Sequence, residues 1–180
     1  MTTTFISLLT AVALLLAISG CAPAAAAPDH GAETPTWTVH FSPRGGCASA
    51  IVELIGSAKR SVHLAAYSFT SQPIADALVA AARAGRQVQL VLDRSDRATP
   101  TTARVAAGGV DVWIDAQHPI MHDKYVIIDG TAVETGSYNF TNQAEARNAE
   151  NCLIVRDRAL AAEYLADWQR HQQHSAASPR

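Results

Sequence analysis

A basic excess is missing from this chain. Fourteen Lys and Arg stand against sixteen Asp and Glu, a net charge of −2 with histidine neutral. Neutralised phosphates drive nucleic-acid affinity, so a general nucleic-acid binder is usually basic. Overall charge gives no such support here; only a local cluster, with Arg94, Arg97 and Arg104 as candidates, could provide it. Cysteine is scarce, three residues in 180. There is no H-E-x-x-H, no paired C-x-x-C and no phosphate-binding loop, which argues against a structural zinc or a nucleotide site of those kinds. No internal repeat is present, and no amphipathic helix of the membrane-surface type is evident.

Charge is also absent from the first 28 residues. Phe5 to Ile18 is an apolar run of signal-peptide length, too short for a comfortable bilayer span. Ile18-Ser-Gly-Cys21 resembles the lipobox of bacterial lipoproteins, which makes Cys21 a candidate for acylation. The rival cleavage lies within Ala24–Ala27 and would release a soluble protein, although Pro28 follows it directly. Export to the periplasm or cell envelope is expected, with a leader over 1–21 and a flexible Ala/Pro tether over 22–36. The main domain is expected over 37–173 and a frayed tail over 174–180. If Cys21 is modified or removed, Cys47 and Cys152 remain; an oxidising compartment permits them to pair, but they can equally be two small buried side chains.

About 145 residues follow the tether, enough for one domain with a real core. Strands are predicted at Trp37–Phe41, Ser61–Tyr67, Gln87–Leu92 and Val110–Ile114. Helices are predicted at Cys47–Lys59, Ile74–Ala84, Thr101–Ala107 and Arg158–His171. A hairpin is predicted from Lys124–Asp129 and Ala132–Thr135 about Gly130, followed by a strand at Asn151–Val155. Strand and helix alternate early and strands cluster late. The fold class is therefore α/β, a mixed sheet flanked by helices on both faces. Tyr67 and Ser68 follow a strand directly and are candidate pocket-lining residues.

The chemistry is concentrated at residues 122–139. His122, Lys124, Asp129, Gly136, Ser137 and Asn139 stand in the spacing H-x-K-x4-D-x6-G-S-x-N, and this pattern occurs once. Residues two apart on a strand share a face, so His122 and Lys124 project together if the strand reaches back to 122. Ser137 and Asn139 are again two apart. An imidazole, an ammonium, a hydroxyl and an amide converging on one volume suit a phosphate. A neutral imidazole can attack phosphorus and form a phosphohistidine, a second histidine can protonate the leaving oxygen, and Lys124 can stabilise charge on the non-bridging oxygens. No metal or other cofactor is required. Two histidines need two motifs, and this chain has one, so a homodimer pairing them about a two-fold axis is expected.

The motif is that of the phospholipase D superfamily. From about Trp37 to His171 the chain resembles the small, single-motif, Nuc-type bacterial endonucleases of that group. The stretches F-S-P-R-G-G (41–46), A-Y-S-F-T (66–70), H-D-K (122–124), V-E-T-G-S-Y-N-F-T (133–141) and R-N-A-E-N (147–151) carry the likeness. The segment 94–102 is shorter than in that group. The resemblance implies metal-independent phosphodiester transfer through phosphohistidine, with His122, Lys124, Asn139 and Glu150 as site residues. Glu150 would orient an imidazole; Ser137 and Asp129 would support, Asp129 indirectly. His40, His63 and His118 fit no motif and read as ordinary structural residues. Nucleic acid is the expected substrate, phospholipid headgroups the alternative, and a non-catalytic phosphate-binding module the third possibility, set against it by the intact His122, Lys124 and Asn139.

Overall fold

The computed structural model describes residues 36–178. The leader, Cys21 and the tether up to residue 35 lie outside the described residues. Eight strands form one sheet: β1 (Thr36–Ser42), β2 (Ser61–Ala66), β3 (Gln87–Asp93), β4 (Asp111–Asp115), β5 (Lys124–Ile128), β6 (Ala132–Gly136), β7 (Glu150–Arg156) and β8 (Ala176–Ala177), in the order β1-β7-β6-β5-β2-β3-β4-β8. β2, β3 and β4 run parallel, and the remaining neighbours pair antiparallel. This is the mixed α/β sheet the alternation predicts.

The helices form because their apolar residues recur at three and four. α1 (Cys47–Ser57) buries Cys47, Ala50, Ile51, Leu54 and Ile55. α2 (Gln72–Arg83) buries Ile74, Ala75, Leu78 and Ala81. α3 (Pro100–Ala107) is opened by Thr99, whose hydroxyl accepts the Thr102 N–H at 3.2 Å. These three pack on one face of the sheet, over Leu64, Leu90, Val126 and Ile128. The other face is covered by α5 (Arg158–His174), started by the Asp157 carboxylate accepting the Leu160 N–H at 2.9 Å. There Trp168 packs among Val91, Tyr125, Ile127 and Val133. Its indole N–H donates to the Leu64 carbonyl at 3.0 Å, which satisfies the one polar atom that burial would otherwise orphan.

Two short elements escape a reading by periodicity. α4 (Asn142–Ala146) is a polar turn and a half capped by Thr141, whose hydroxyl accepts the Ala144 N–H at 3.1 Å. β8 replaces the frayed tail expected from His174. Ala176 and Ala177 pair with Ile114 and Trp113, and the Ser178 N–H donates to the Val112 carbonyl at 2.8 Å. Small residues leave no side-chain pattern, but backbone pairing at a sheet edge needs none. Cys47 and Cys152 are free and buried, and burial is the leading cause of the upward shift in the pKa of both.

Candidate active site

β5 begins at Lys124, so His122 stands just outside the strand, on the segment that enters it. Its side chain is exposed, and its ring lies against that of Tyr67, centroids 4.6 Å apart and tilted by 49°. The Lys124 ammonium donates to the His122 carbonyl and sits 5.2 Å from the centre of the same Tyr67 ring, within cation–π range. The Tyr67 N–H donates to the Asp123 carbonyl at 3.0 Å, which ties the end of β2 to the start of β5. Lys124 is only 8% exposed. Burial pulls its pKa down; the charges of Asp123 and Glu150 offset part of that. A partly desolvated cation, held beside an exposed imidazole, acts on an anion more strongly than one in water.

β6 ends at Gly136, at the same end of the hairpin as Lys124. The pairing of β6 with β7 brings the two backbones together there: a Cβ added to Gly136 would lie 2.1 Å from the Asn151 carbonyl oxygen. Glycine is therefore required for the chain to deliver Ser137 to this spot. The Ser137 hydroxyl donates to Glu150 at 2.6 Å and accepts the Asn151 N–H at 3.2 Å; the Asn148 amide donates to the other Glu150 oxygen at 2.9 Å. Glu150 thus binds Ser137 and Asn148, whereas the ring beside His122 is that of Tyr67. Tyr138 and Phe140 turn inward and are fully buried, which leaves Ser137 and Asn139 to alternate with them. The Asn139 side-chain oxygen is buried with no hydrogen-bond partner. Such a group costs about 1–3 kcal/mol.

Asp129 is elsewhere. It closes the opposite end of the β5–β6 hairpin, roughly 16 Å along the strand from Lys124. Its carboxylate accepts the N–H groups of Lys59, Arg60 and Ser61 at 2.7–2.9 Å, and these bonds outweigh burial to hold its pKa low. The aspartate of the motif is a clamp on the α1–β2 connection, away from His122 and Lys124. Ser68 stands half-buried in the loop after Tyr67. Arg104 is paired with Asp76, and Arg94 donates to the Pro119 carbonyl, three residues before His122.

Three buried carboxylates that motif reading passed over shape this end of the sheet. Asp93 and Asp115 end the parallel strands β3 and β4, where open α/β sheets place their ligands. Asp93 accepts the Met121 N–H at 2.8 Å and so holds the segment that carries His122. Asp96 accepts the Phe69 N–H at 2.7 Å and holds the Tyr67 loop; burial is the first cause raising its pKa to about 6. Asp93 and Asp115 are the last residues of apolar parallel strands and Asp96 lies in the short turn after β3; a charge at the end of such a strand is the one signal the sequence offers for them. A cavity of about 730 Å³ lies between β1 and α1, lined by Trp37, His40, Glu53 and Arg156, and contains none of the motif residues.

The family model described as "Cardiolipin synthase, PLD-like domain" matches residues 51–172. A protein of Rickettsia prowazekii named "Phospholipase D" is 39% identical over 130 residues, 71% of this chain and 63% of the relative. The "Mitochondrial cardiolipin hydrolase" of Xenopus laevis is 35% identical over 122 residues, 67% of this chain and 58% of the relative. The crystal structure of a phospholipase D family member, Nuc from Salmonella typhimurium, superposes with a TM-score of 0.78 at 36% identity, covering 82% of this chain and all of that one. NucT from Helicobacter pylori shares the fold at 24% identity, with a TM-score of 0.72. The chain therefore belongs to the phospholipase D-like family and has the fold of Nuc. It spans less than two thirds of the length of the Rickettsia and Xenopus relatives.

Proposed function

We propose that this protein is a metal-independent phosphodiesterase that works as a homodimer through a phosphohistidine, with nucleic acid as its substrate. The observation that carries this reading is a single exposed His122 beside a desolvated Lys124 at the start of the central strand β5, which supplies one half of a two-histidine site. His122 forms a bond to phosphorus as the bond to the leaving oxygen breaks, and His122 of the second copy gives that oxygen a proton. Water then attacks the phosphohistidine, yields its proton to that second imidazole, and frees His122. Lys124 and the Asn139 amide hold the non-bridging oxygens, and Ser137 with Asn148 keeps Glu150 in place.

Likeness to the Nuc-type endonucleases over most of the domain favours nucleic acid. The relatives named as a phospholipase and a cardiolipin hydrolase favour a phospholipid headgroup, the second reading. Among the described residues no helix is long and apolar enough to cross a membrane. Plasmid DNA, RNA and phospholipid vesicles are offered separately, with EDTA present. Nicking without lipid turnover supports the first reading; headgroup release alone replaces it with the second; activity retained by His122→Ala sinks both. Export and acylation at Cys21 complete the proposal, and the mass of the N-terminal peptide of the exported protein tests them.

A further inference from the structure

Asp115, fully buried at the end of β4, has its two oxygens differently employed. Oδ1 accepts the backbone N–H groups of Gln117 at 2.9 Å and His118 at 3.3 Å. Oδ2 faces three imidazole nitrogens: His118 Nδ1 at 2.8 Å, His171 Nδ1 at 2.9 Å and His174 Nε2 at 3.0 Å. Three ring nitrogens on one oxygen exceed its two lone-pair directions. The rings form a near-equilateral triangle, with centroids 5.1, 5.1 and 5.5 Å apart. Around a tetrahedral ion with bonds of about 2.0–2.1 Å to nitrogen, imidazole centroids stand roughly 5.2 Å apart and ligand atoms roughly 3.4 Å apart. The rings already have that spacing, and the four ligand atoms lie within 4.8 Å of one another. Lengthening the three oxygen–nitrogen contacts from 2.8–3.0 Å to about 3.4 Å is what an ion between them requires.

We propose that Asp115, His118, His171 and His174 bind one divalent transition-metal ion of the zinc type. Three imidazoles and one carboxylate suit zinc and its neighbours, whereas calcium and magnesium take oxygen ligands. Four protein ligands close a tetrahedral shell, so the ion is structural. The surroundings match: the second nitrogen of His171, Nε2, lies 3.3 Å from the Asp123 carboxylate and 3.7 Å from that of Asp167, the outer contact that fixes a metal-bound imidazole. Asp167 is itself held by the Tyr125 hydroxyl at 3.0 Å and Arg170 at 2.8 Å. His118 is 42% exposed in its side chain, which leaves the ion a way in. The ligands come as two pairs three residues apart, one at the end of β4 and just beyond it and one at the end of α5. The ion fastens the C-terminus of α5 to the segment that leads into His122. This site is distinct from His122 and Lys124 and does not rest on the proposed chemistry.

The test uses untagged full-length protein, stripped with chelator and titrated with zinc. One ion per chain is expected, with a rise in thermal midpoint that calcium and magnesium do not give. Cobalt(II) in its place should show the intense visible bands of a tetrahedral centre. The double variant His118→Ala/His174→Ala should lose zinc affinity by more than about 100-fold, whereas His122→Ala should keep it. If the double variant does not fold, His118→Ala alone should still weaken the cobalt bands. Chelation should lower the thermal midpoint yet leave turnover unchanged below it. Absence of zinc binding by the intact chain, or equal binding by the His118 variants, overturns the proposal.

Discussion

At the scale of the residue, burial decides what each charged group can do. Lys124 keeps its ammonium at a site that is nearly closed to water, aimed at one carbonyl and one ring. Lys124→Met preserves the packed stem and removes the charge. Turnover should fall about 100- to 1,000-fold with the thermal midpoint little changed, and Lys124→Arg should not restore it, because the larger planar group does not fit the same space. Glu134, in the middle of β6, is the opposite case: fully buried, without a hydrogen-bond partner, its pKa raised by burial to about 8. The sign follows directly. Below the ordinary glutamate range both folded and unfolded chains hold the proton. Between pH 4.5 and 8 the unfolded chain releases it and the folded chain does not. This residue therefore removes stability as pH rises through that window, by up to about 1.4 kcal/mol per pH unit. Urea midpoints measured across the window should fall more steeply for the wild type than for Glu134→Gln, and parallel curves would refute the shift.

At the scale of the element, the two ends of the β5–β6 hairpin separate chemistry from support. Asp129→Ala removes the acceptor of three backbone N–H groups and should cost about 1–2 kcal/mol of stability, with turnover per folded molecule unchanged. Gly136→Ala should cost both, since its Cβ meets the Asn151 carbonyl and the strands that carry Ser137 and Glu150 must part. Denaturation and initial rates on the same samples distinguish the two. The sequence made most of this visible. The main strands and the four longer helices follow from apolar period, and His122, Lys124, Ser137 and Asn139 from fixed spacing. Tyr67 was legible from its place after a strand. What stayed hidden was long-range or patternless: α4 and β8, too short or too plain to carry a period, and the partners of Asp93, Asp96 and Asp115. His118 shows the limit well. Alone it matches no motif; only the packing of α5 against β4 brings His171 and His174, more than fifty positions later, to the same carboxylate.

At the scale of the whole molecule, the exposed apolar surface bears on the proposed pairing of two sites. Trp37, Val39 and Phe41 alternate along the edge strand β1 and are 67%, 40% and 60% exposed; Ile120, two residues before His122, is 54% exposed. An edge strand with such a face is a pairing hazard unless something covers it. A second copy of the chain could cover that strand, Ile120, or both, and bring a second His122 to the first. The mechanism itself predicts what mixing will show. When wild-type protein and His122→Ala chains exchange freely at equal amounts, about half of the wild-type chains find a disabled partner. If both histidines are needed, turnover per wild-type chain should drop to about one half, and further as the variant is added in excess. If one chain suffices, turnover per wild-type chain stays constant at every ratio. The same titration with Asp129→Ala, which leaves His122 intact, should show no loss, so the drop reports the second imidazole and not assembly with an altered chain.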